Sequence, residues 1–410
     1  MLYNKEAVAF LDANKYIPKP ISTLYHYYNQ PIITDSNCIY PLIYDLDNMI
    51  DAFLDCFTNT TKSLEMQEYI SNFCYMIETT IEDLIKKSFK PDKPHAFKVF
   101  DPKERVILAP RFRTRVVQKA LIQVVGPFLD SFAVPSSAAN IPGRGTHFAL
   151  LKVQDILQNS NFVVVFDIHH FFPSIDNTIL RCIIYDLIKC PNTNWLLNLN
   201  IPDAPIGIPI GSITSQYFAN LYLDPLDKLV YNILGITDYC RYMDDFIIGV
   251  NTAEQANYVF CLIRDFLYNV LHLTLNQHSR VINSTDEFTF VGYKYKDKKP
   301  YMNERRLESV LNEIDKFQMY HYGPELYYYL LRPYIMGFIS NASRYTEDQN
   351  NIDLIIHKLR YIGITDYSIK PKKPSNKEIT KPYGFKYKKS GFFSKEIAKQ
   401  KRAEKQYKKS

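Results

Sequence analysis

No two cysteines in this 410-residue chain are spaced Cys-x-x-Cys, although it has seven, at 38, 56, 74, 182, 190, 240 and 261. An odd number without that spacing indicates neither a zinc site nor a full disulfide framework, and a reducing cytoplasm fits best. No apolar run approaches about 18 residues, the length a membrane-spanning helix needs. The opening "MLYNKEAVAFLDANKYIPKP" has neither the basic start nor the continuous apolar core of a secretory leader. The expectation is a soluble cytoplasmic protein with no membrane contact. No internal repeat is visible, and Trp195 is the only tryptophan, so the aromatics are almost entirely 32 Tyr and 26 Phe.

What is present reads as a packed globule, 46% hydrophobic and 14% aromatic, long enough for two or three domains or one elaborate fold. The net charge of +6 is unevenly spread. Residues 370–410 carry fifteen Lys/Arg against three Glu, which leaves residues 1–369 at −6. This basic tail, interleaved with Tyr383, Phe385, Tyr387, Phe392 and Phe393, reads as an arm for RNA or DNA, with a solvated extension as the rival.

Residues 1–90 read as mostly helical, with Ile70, Phe73, Ile77, Ile81, Leu84 and Phe89 as a core stripe. From 91 the texture changes to two short extended runs around a Pro-Lys turn, then a helix opening after Pro110. The turn "IPGRGTH" leads to a helix ending near 158 and to "FVVVFDI", a buried strand by composition. A helix from Asn177, a Pro/Gly-rich loop and a helix over about 213–234 follow. Then come a hairpin within "DYCRYMDDFIIGV", a helix over 253–271, and short strands in "TLNQHSRVI" and "FTFVGYKYK". Residues 303–362 return to helix, interrupted at Pro333.

The chemistry concentrates on three aspartates. Asp244 and Asp245 stand where the hairpin turns, flanked by strand-forming residues, and Asp167 ends the buried strand. Singly, each could be a turn or cap residue. Together on one edge of an antiparallel sheet they form a dense set of hard oxygen ligands, which suits Mg²⁺ shared with substrate phosphates. Two such ions support in-line phosphoryl displacement.

Motifs in order from about 95 to 295 resemble those of reverse transcriptases. "RYMDDF" is similar to the Tyr-x-Asp-Asp motif, "FDIHHFFPSID" to the strand bearing the first catalytic Asp, and "GIPIGSITSQYFANLYLDPLD" to the loop and helix that meet nucleotide and template. "RVILAPRFRTRVVQKAL" resembles the fingers of bacterial, group II intron-like members, and "FTFVGY" their primer grip. The resemblance implies an α+β right-hand polymerase. Its expected parts are an N-terminal helical region (1–90), fingers and an antiparallel palm (91–300), a helical thumb (301–365) and a basic arm (366–410).

The resemblance further implies that Asp167, Asp244 and Asp245 are catalytic, and that these three together with Ile168 bind metal. The cofactor would be two Mg²⁺ ions, Mn²⁺ substituting. Arg105 corresponds to the arginine that grips the triphosphate, assisted by Lys98 or Lys103. Phe172 corresponds to the bulky residue that excludes a ribose 2′-oxygen, making dNTPs the substrates; plain core packing is its rival. Ile210, Gly211 and Gln216 complete the nucleotide site, with helix capping by Ser212 or Thr214 the rival reading of that loop. Phe290, Val291, Gly292 and Tyr293 form the primer grip. Arg111, Arg113 and Arg115 hold template backbone or form a solvated helix face. His169 and His170, without further ligand partners, read as structural.

Ile210 through Gln216 is similar to the reverse transcriptases of diversity-generating retroelements, where an aliphatic residue replaces Gln near the base pair and copying is error-prone. The longer N-terminal segment and basic tail fit instead antiphage-defence reverse transcriptases, which work with a dedicated noncoding RNA; defence is slightly favoured. Expected partners are that RNA, dNTPs and a DNA product, with an accessory protein or second copy of the chain. The family's lysine after the "LTLN" strand is absent, and Ser279, flanked by His278 and Arg280, stands near its place.

Overall fold

A computed structural model describes residues 38–58, 63–100, 104–319, 331–345 and 349–364. The basic arm, the first 37 residues and Lys103 lie outside the described residues.

Among the described residues four helices precede the first strand: α1 (Tyr40–Ile43), α2 (Leu46–Thr58), α3 (Leu64–Ser71) and α4 (Phe73–Ile85). The expected stripe is buried at Phe73, Ile77, Leu84 and Phe89, but Ile70 is exposed. The reason is a break at Asn72: α3 and α4 are separate helices, so helical spacing does not carry across it. A hairpin of β1 (His95–Phe100) and β2 (Glu104–Ala109) follows, then α5 (Phe112–Asp130). Phe53, Tyr69, Phe73 and Phe112 stack in one aromatic cluster, so the N-terminal helices share their core with α5.

The central sheet has the order β4-β5-β3-β6, formed by β3 (Phe162–Asp167), β4 (Tyr239–Tyr242), β5 (Asp245–Val250) and β6 (Arg280–Asn283), all antiparallel. Between β2 and β3 lies α6 (Thr146–Asn159); between β3 and β4 come α7 (Phe171–Ser174), α8 (Asn177–Leu187), α9 (Pro191–Asn198), α10 (Ile213–Tyr222) and α11 (Asp224–Lys228). The expected single helix over 213–234 is divided at Leu223, where Pro225 can supply no backbone N–H to continue α10, and it ends in a π turn over Leu229–Ile233.

Both faces of the sheet are covered, which is why "FVVVF" is apolar without alternation. Val164, Phe166, Phe246 and Ile248 face the core shared with α12 (Ala253–Leu271), whose Val259, Ile263 and Leu267 repeat at helical spacing. That helix starts with a capping box between Thr252 and Gln255 and stops at His272, which turns left-handed (φ 52°). Val163, Cys240 and Ile247 face α6 and a second core. There the three-stranded sheet of β7 (Phe288–Phe290), β8 (Tyr293–Lys296) and β9 (Lys299–Met302) packs with helices α13 (Glu304–Met319), α14 (Arg332–Tyr345) and α15 (Gln349–Tyr361). Strand β9 had no signal strong enough to separate it from the turn before α13.

One disulfide occurs among the described residues, Cys38–Cys190, a pairing not expected from cysteine spacing. None of the described helices is long and apolar enough to cross a membrane.

Gly249 marks the tightest approach on the sheet: a Cβ there would overlap Ser160 Oγ and reach 2.7 Å from Ile156 Cγ2. Gly249→Ala should therefore destabilise the protein by about 1–3 kcal/mol. Urea unfolding checks this; a lower midpoint with an unchanged slope is expected.

Candidate active site

Strands β3 and β5 pair so that Asp167 lies directly opposite Asp245, and Tyr242 opposes Asp245 from β4. Met243 and Asp244 are the two residues of the intervening turn, with Met243 left-handed at φ 56°. The expected hairpin therefore forms, and it brings all three aspartates to one end of the sheet. All three are half-buried. Burial, reinforced by the charge of Asp167, pushes the Asp244 carboxyl above the usual carboxylate range, while Arg105 and Arg241 pull the other way.

Among the described residues, no three His, Cys, Asp or Glu side chains form a ready-made metal cage. The aspartates still fit a hard divalent ion, because Mg²⁺ takes one or two protein carboxylates and completes its shell with water and phosphate oxygens. His169 and His170 are exposed and lie edge to face on each other, 4.2 Å apart.

The main chain of Asp167 is clamped from β6's side. Ser279 Oγ accepts from the Asp167 amide at 3.0 Å and donates to its carbonyl at 3.2 Å, and the Asn276 amide donates to the same carbonyl at 2.7 Å. Ser279, which stands near the place of the absent lysine, thus engages the backbone of Asp167. Ile168 is buried and bridges to Leu275, continuing this anchorage. Arg280 turns away to the carbonyls of His278 and Glu287.

Three connections assemble the surrounding site. The Ile208 amide donates to the Phe172 carbonyl at 3.0 Å, placing half-buried Phe172 against the loop that carries Ile210 and Gly211. The Leu108 amide donates to the Ile210 carbonyl at 2.8 Å, tying β2 to that loop. Gly211 (φ 116°) passes so close to β2 that a Cβ would come within 2.7 Å of Ile107 Cγ2. Ser212 stands at the N-terminus of α10 without capping it; its hydroxyl instead bonds Gln118 Oε1 at 3.0 Å and Thr214 at 2.7 Å. Gln216 is exposed on the first turn of α10.

Other placements depart from expectation. Arg105 pairs across the hairpin with Val99, so Lys98 belongs to the opposite face, where it meets Glu104 at 2.5 Å; it does not converge with Arg105. Arg113 is engaged by Asp83 at 2.5 Å and lies over Phe89, neither a template ligand nor a solvated face. Arg144 of "IPGRGTH" donates to the Val134 and Ser137 carbonyls. Phe290 and Tyr293 are buried and close a two-residue turn in which Val291 (φ 50°) and Gly292 (φ 74°) are both left-handed. Arg306 lies over the Tyr293 ring at 5.1 Å.

Sequence reasoning missed Arg241, which is 1% exposed in β4 and ion-paired with Asp227. A signal existed: strand alternation places Arg241 on the inward face with Tyr239.

Residues 90–295 match the family model for reverse transcriptase (RNA-dependent DNA polymerase). "Protein YkfC" of Escherichia coli (strain K12) is 23% identical over 268 residues, covering 53% of this chain and 70% of that protein. A putative COX1/OXI3 intron 2 protein of Saccharomyces cerevisiae is 22% identical over 263 residues, 46% of this chain but 30% of that protein. Among solved structures, telomerase from Candida albicans with a fragment of telomeric RNA matches at TM-score 0.45 and 11% identity, covering 69% of this chain and 57% of that one.

A folded carboxylate whose pKa is raised costs stability once pH exceeds that pKa, because the fold then holds a charge the unfolded chain carries more easily. With divalent ions chelated at pH 8, Asp244→Asn should therefore melt about 1–3 °C above the unaltered protein. Differential scanning calorimetry checks it, and an unchanged or lower midpoint counts against a strained carboxylate.

Proposed function

The chain belongs to the reverse transcriptase family of RNA-directed DNA polymerases, and from that premise we propose that it makes cDNA from a dedicated noncoding RNA in the cytoplasm, in antiphage defence. The fold is that of a right-hand polymerase. One observation carries the catalytic reading: Asp167 directly across the ladder from Asp245, with Asp244 in the adjoining turn.

Asp167, Asp244 and Asp245 would supply the carboxylate oxygens for two Mg²⁺ ions, or Mn²⁺ in their place. When bound, such ions stabilise the attacking and leaving oxygens of the displacement at the α-phosphate. Arg105 sits on the hairpin face that Val99 and Ile107 share, and its guanidinium grips the triphosphate of the incoming dNTP. The Phe172 ring blocks a ribose 2′-hydroxyl. Ile210 and Gly211 shape the floor under the base pair, Gln216 faces the template, and the Phe290–Tyr293 turn holds the primer end. Holding primer hydroxyl and phosphate in line is the chain's main contribution, since positioning supplies much of the rate in phosphoryl transfer.

The defence reading is supported by the N-terminal helices and the basic arm, which offer surfaces for a structured RNA; an accessory protein or second copy of the chain would join there. A second reading, error-prone copying for sequence diversification, is favoured by Ile210, whose carbonyl is held by Leu108 so that an aliphatic side chain stands where a hydrogen-bonding one would check the pair.

Purified from its native host, the protein should carry one abundant RNA and complementary cDNA, whereas the Asp244→Ala/Asp245→Ala variant should carry the RNA alone. Sequencing of the bound nucleic acid reads both; cDNA at equal levels in the two would refute the site. Adenine-directed errors matching a nearby gene would select diversification, and repetitive or phage-induced cDNA defence. Ile210→Gln should lower misincorporation about tenfold, within the range that one added specific contact discriminates. Equal and low error rates in both proteins would remove Ile210 from fidelity control.

A further inference from the structure

We infer that Arg241 is a positioning residue for the catalytic turn: from the sheet face opposite the carboxylates, it holds the Met243 carbonyl and so fixes where Asp244 is presented. The inference rests on the polymerase reading above for its kinetic consequence alone.

Arg241 pairs with Phe246 across the β4–β5 ladder, whereas Asp245 pairs with Tyr242, so successive residues of β4 send Arg241 inward and leave Asp245 on the other face. Its guanidinium is fully used. Nε donates to Asp227 Oδ1 at 2.7 Å and Nη2 to Asp227 Oδ2 at 2.5 Å. Nη2 also reaches Ser137 Oγ at 3.3 Å. Nη1 donates to the Met243 carbonyl at 3.1 Å and to Asn220 Oδ1 at 3.2 Å. The Tyr239 hydroxyl donates to Asp227 Oδ1 at 2.5 Å, and the Arg241 main chain is itself bonded to Ser136 and Ala138.

A buried ion pair of this kind gives little net stability over an apolar replacement, because desolvating two charges offsets their attraction. Glue alone is therefore a poor reason for a guanidinium here. What this side chain adds is a fork: two donors hold Asp227 while a third remains aimed at Met243. A lysine ammonium could meet Asp227 but has no rigid second arm for the carbonyl. Met243 needs holding, since its left-handed backbone is uncommon for a residue other than glycine, and Asn140 Nδ2 also approaches its sulfur at 3.1 Å.

The test compares unaltered protein, Arg241→Lys and Asn220→Leu in single-nucleotide addition on an RNA template, with Mg²⁺ titrated, alongside hydrogen–deuterium exchange of the free proteins. Arg241→Lys should lose about 10²-fold in kcat, the cost of a displacement near 1 Å at a reacting centre, with dNTP KM within threefold. Half-saturating Mg²⁺ should rise, and amide exchange should quicken over residues 243–246 while β3 stays protected. Asn220→Leu keeps the Asp227 pair but removes the lateral acceptor of Nη1; it should show about a tenfold loss in kcat with the same localised exchange, and it decides the matter if Arg241→Lys does not fold. A kcat within twofold, or exchange raised evenly across the sheet, overturns the inference. If the unaltered protein makes no DNA, the polymerase reading fails and the exchange data alone decide whether Arg241 holds the turn.

Discussion

Two carboxylates set directly across an antiparallel ladder repel each other, and the pairing of Asp167 with Asp245 is the constraint around which the rest of this molecule is organised. The sheet cannot relax by sliding, because a one-residue slip would turn the apolar residues of β3 and β5 toward the wrong cores. The repulsion is thus retained and contained. Val164 and Phe166 lock one face of β3 while Val163 locks the other. Ser279 and Asn276 close the main chain at the strand's end. On the catalytic reading proposed above, a divalent ion would find its ligands already crowded, and binding it would relieve that repulsion.

The same economy governs the approach to the site. The hairpin carrying Arg105 is exposed over most of its length and would be a poor scaffold alone. Its anchorage is a main-chain bond from Leu108 to Ile210 and the close passage of Gly211 beneath Ile107, so the Arg105 hairpin and the Ile210–Gly211 loop share one support. Gln118 extends that support inward, bonding Asn200 at 2.9 Å through its amide nitrogen and Ser212 through its oxygen.

How much of this could be read from the sequence follows from which forces are local. The buried strand, the Asp-Asp hairpin and the helix over Ala253–Leu271 were legible because composition, turn position and capping all agree there. The placing of the three aspartates at one end of the sheet was legible from the strand and hairpin pattern. Lys98 was misplaced because charge and proximity in sequence suggested convergence, whereas strand alternation depends on the register with Glu104–Ala109, which only the fold reveals. Arg113 was read as a template contact or solvated face and Arg241 was passed over, because arginine is usually exposed; their partners Asp83 and Asp227 lie 30 and 14 residues away. The Cys38–Cys190 pairing spans 152 residues and has no local trace at all.

Backbone strain is stored at two turns, the one that carries Asp244 and the one that joins β7 to β8. Met243 precedes Asp244 at φ 56°, and Val291 opens the proposed primer-grip turn at φ 50°, an unfavourable conformation for a β-branched residue. Each turn is backed by an arginine that is not itself at the reacting centre. Arg241 takes the Met243 carbonyl, and Arg306 lies over Tyr293 with its guanidinium so near Gly292 that a Cβ would stand 3.3 Å from Nη2. Glycine at 292 suits the left-handed backbone, and a Cβ there would also press on the Arg306 guanidinium. Because a planar guanidinium can stack and donate at once, it stiffens a strained turn from behind without intruding on the cleft in front. The turn that carries Asp244 and the proposed primer-grip turn are in this sense built alike.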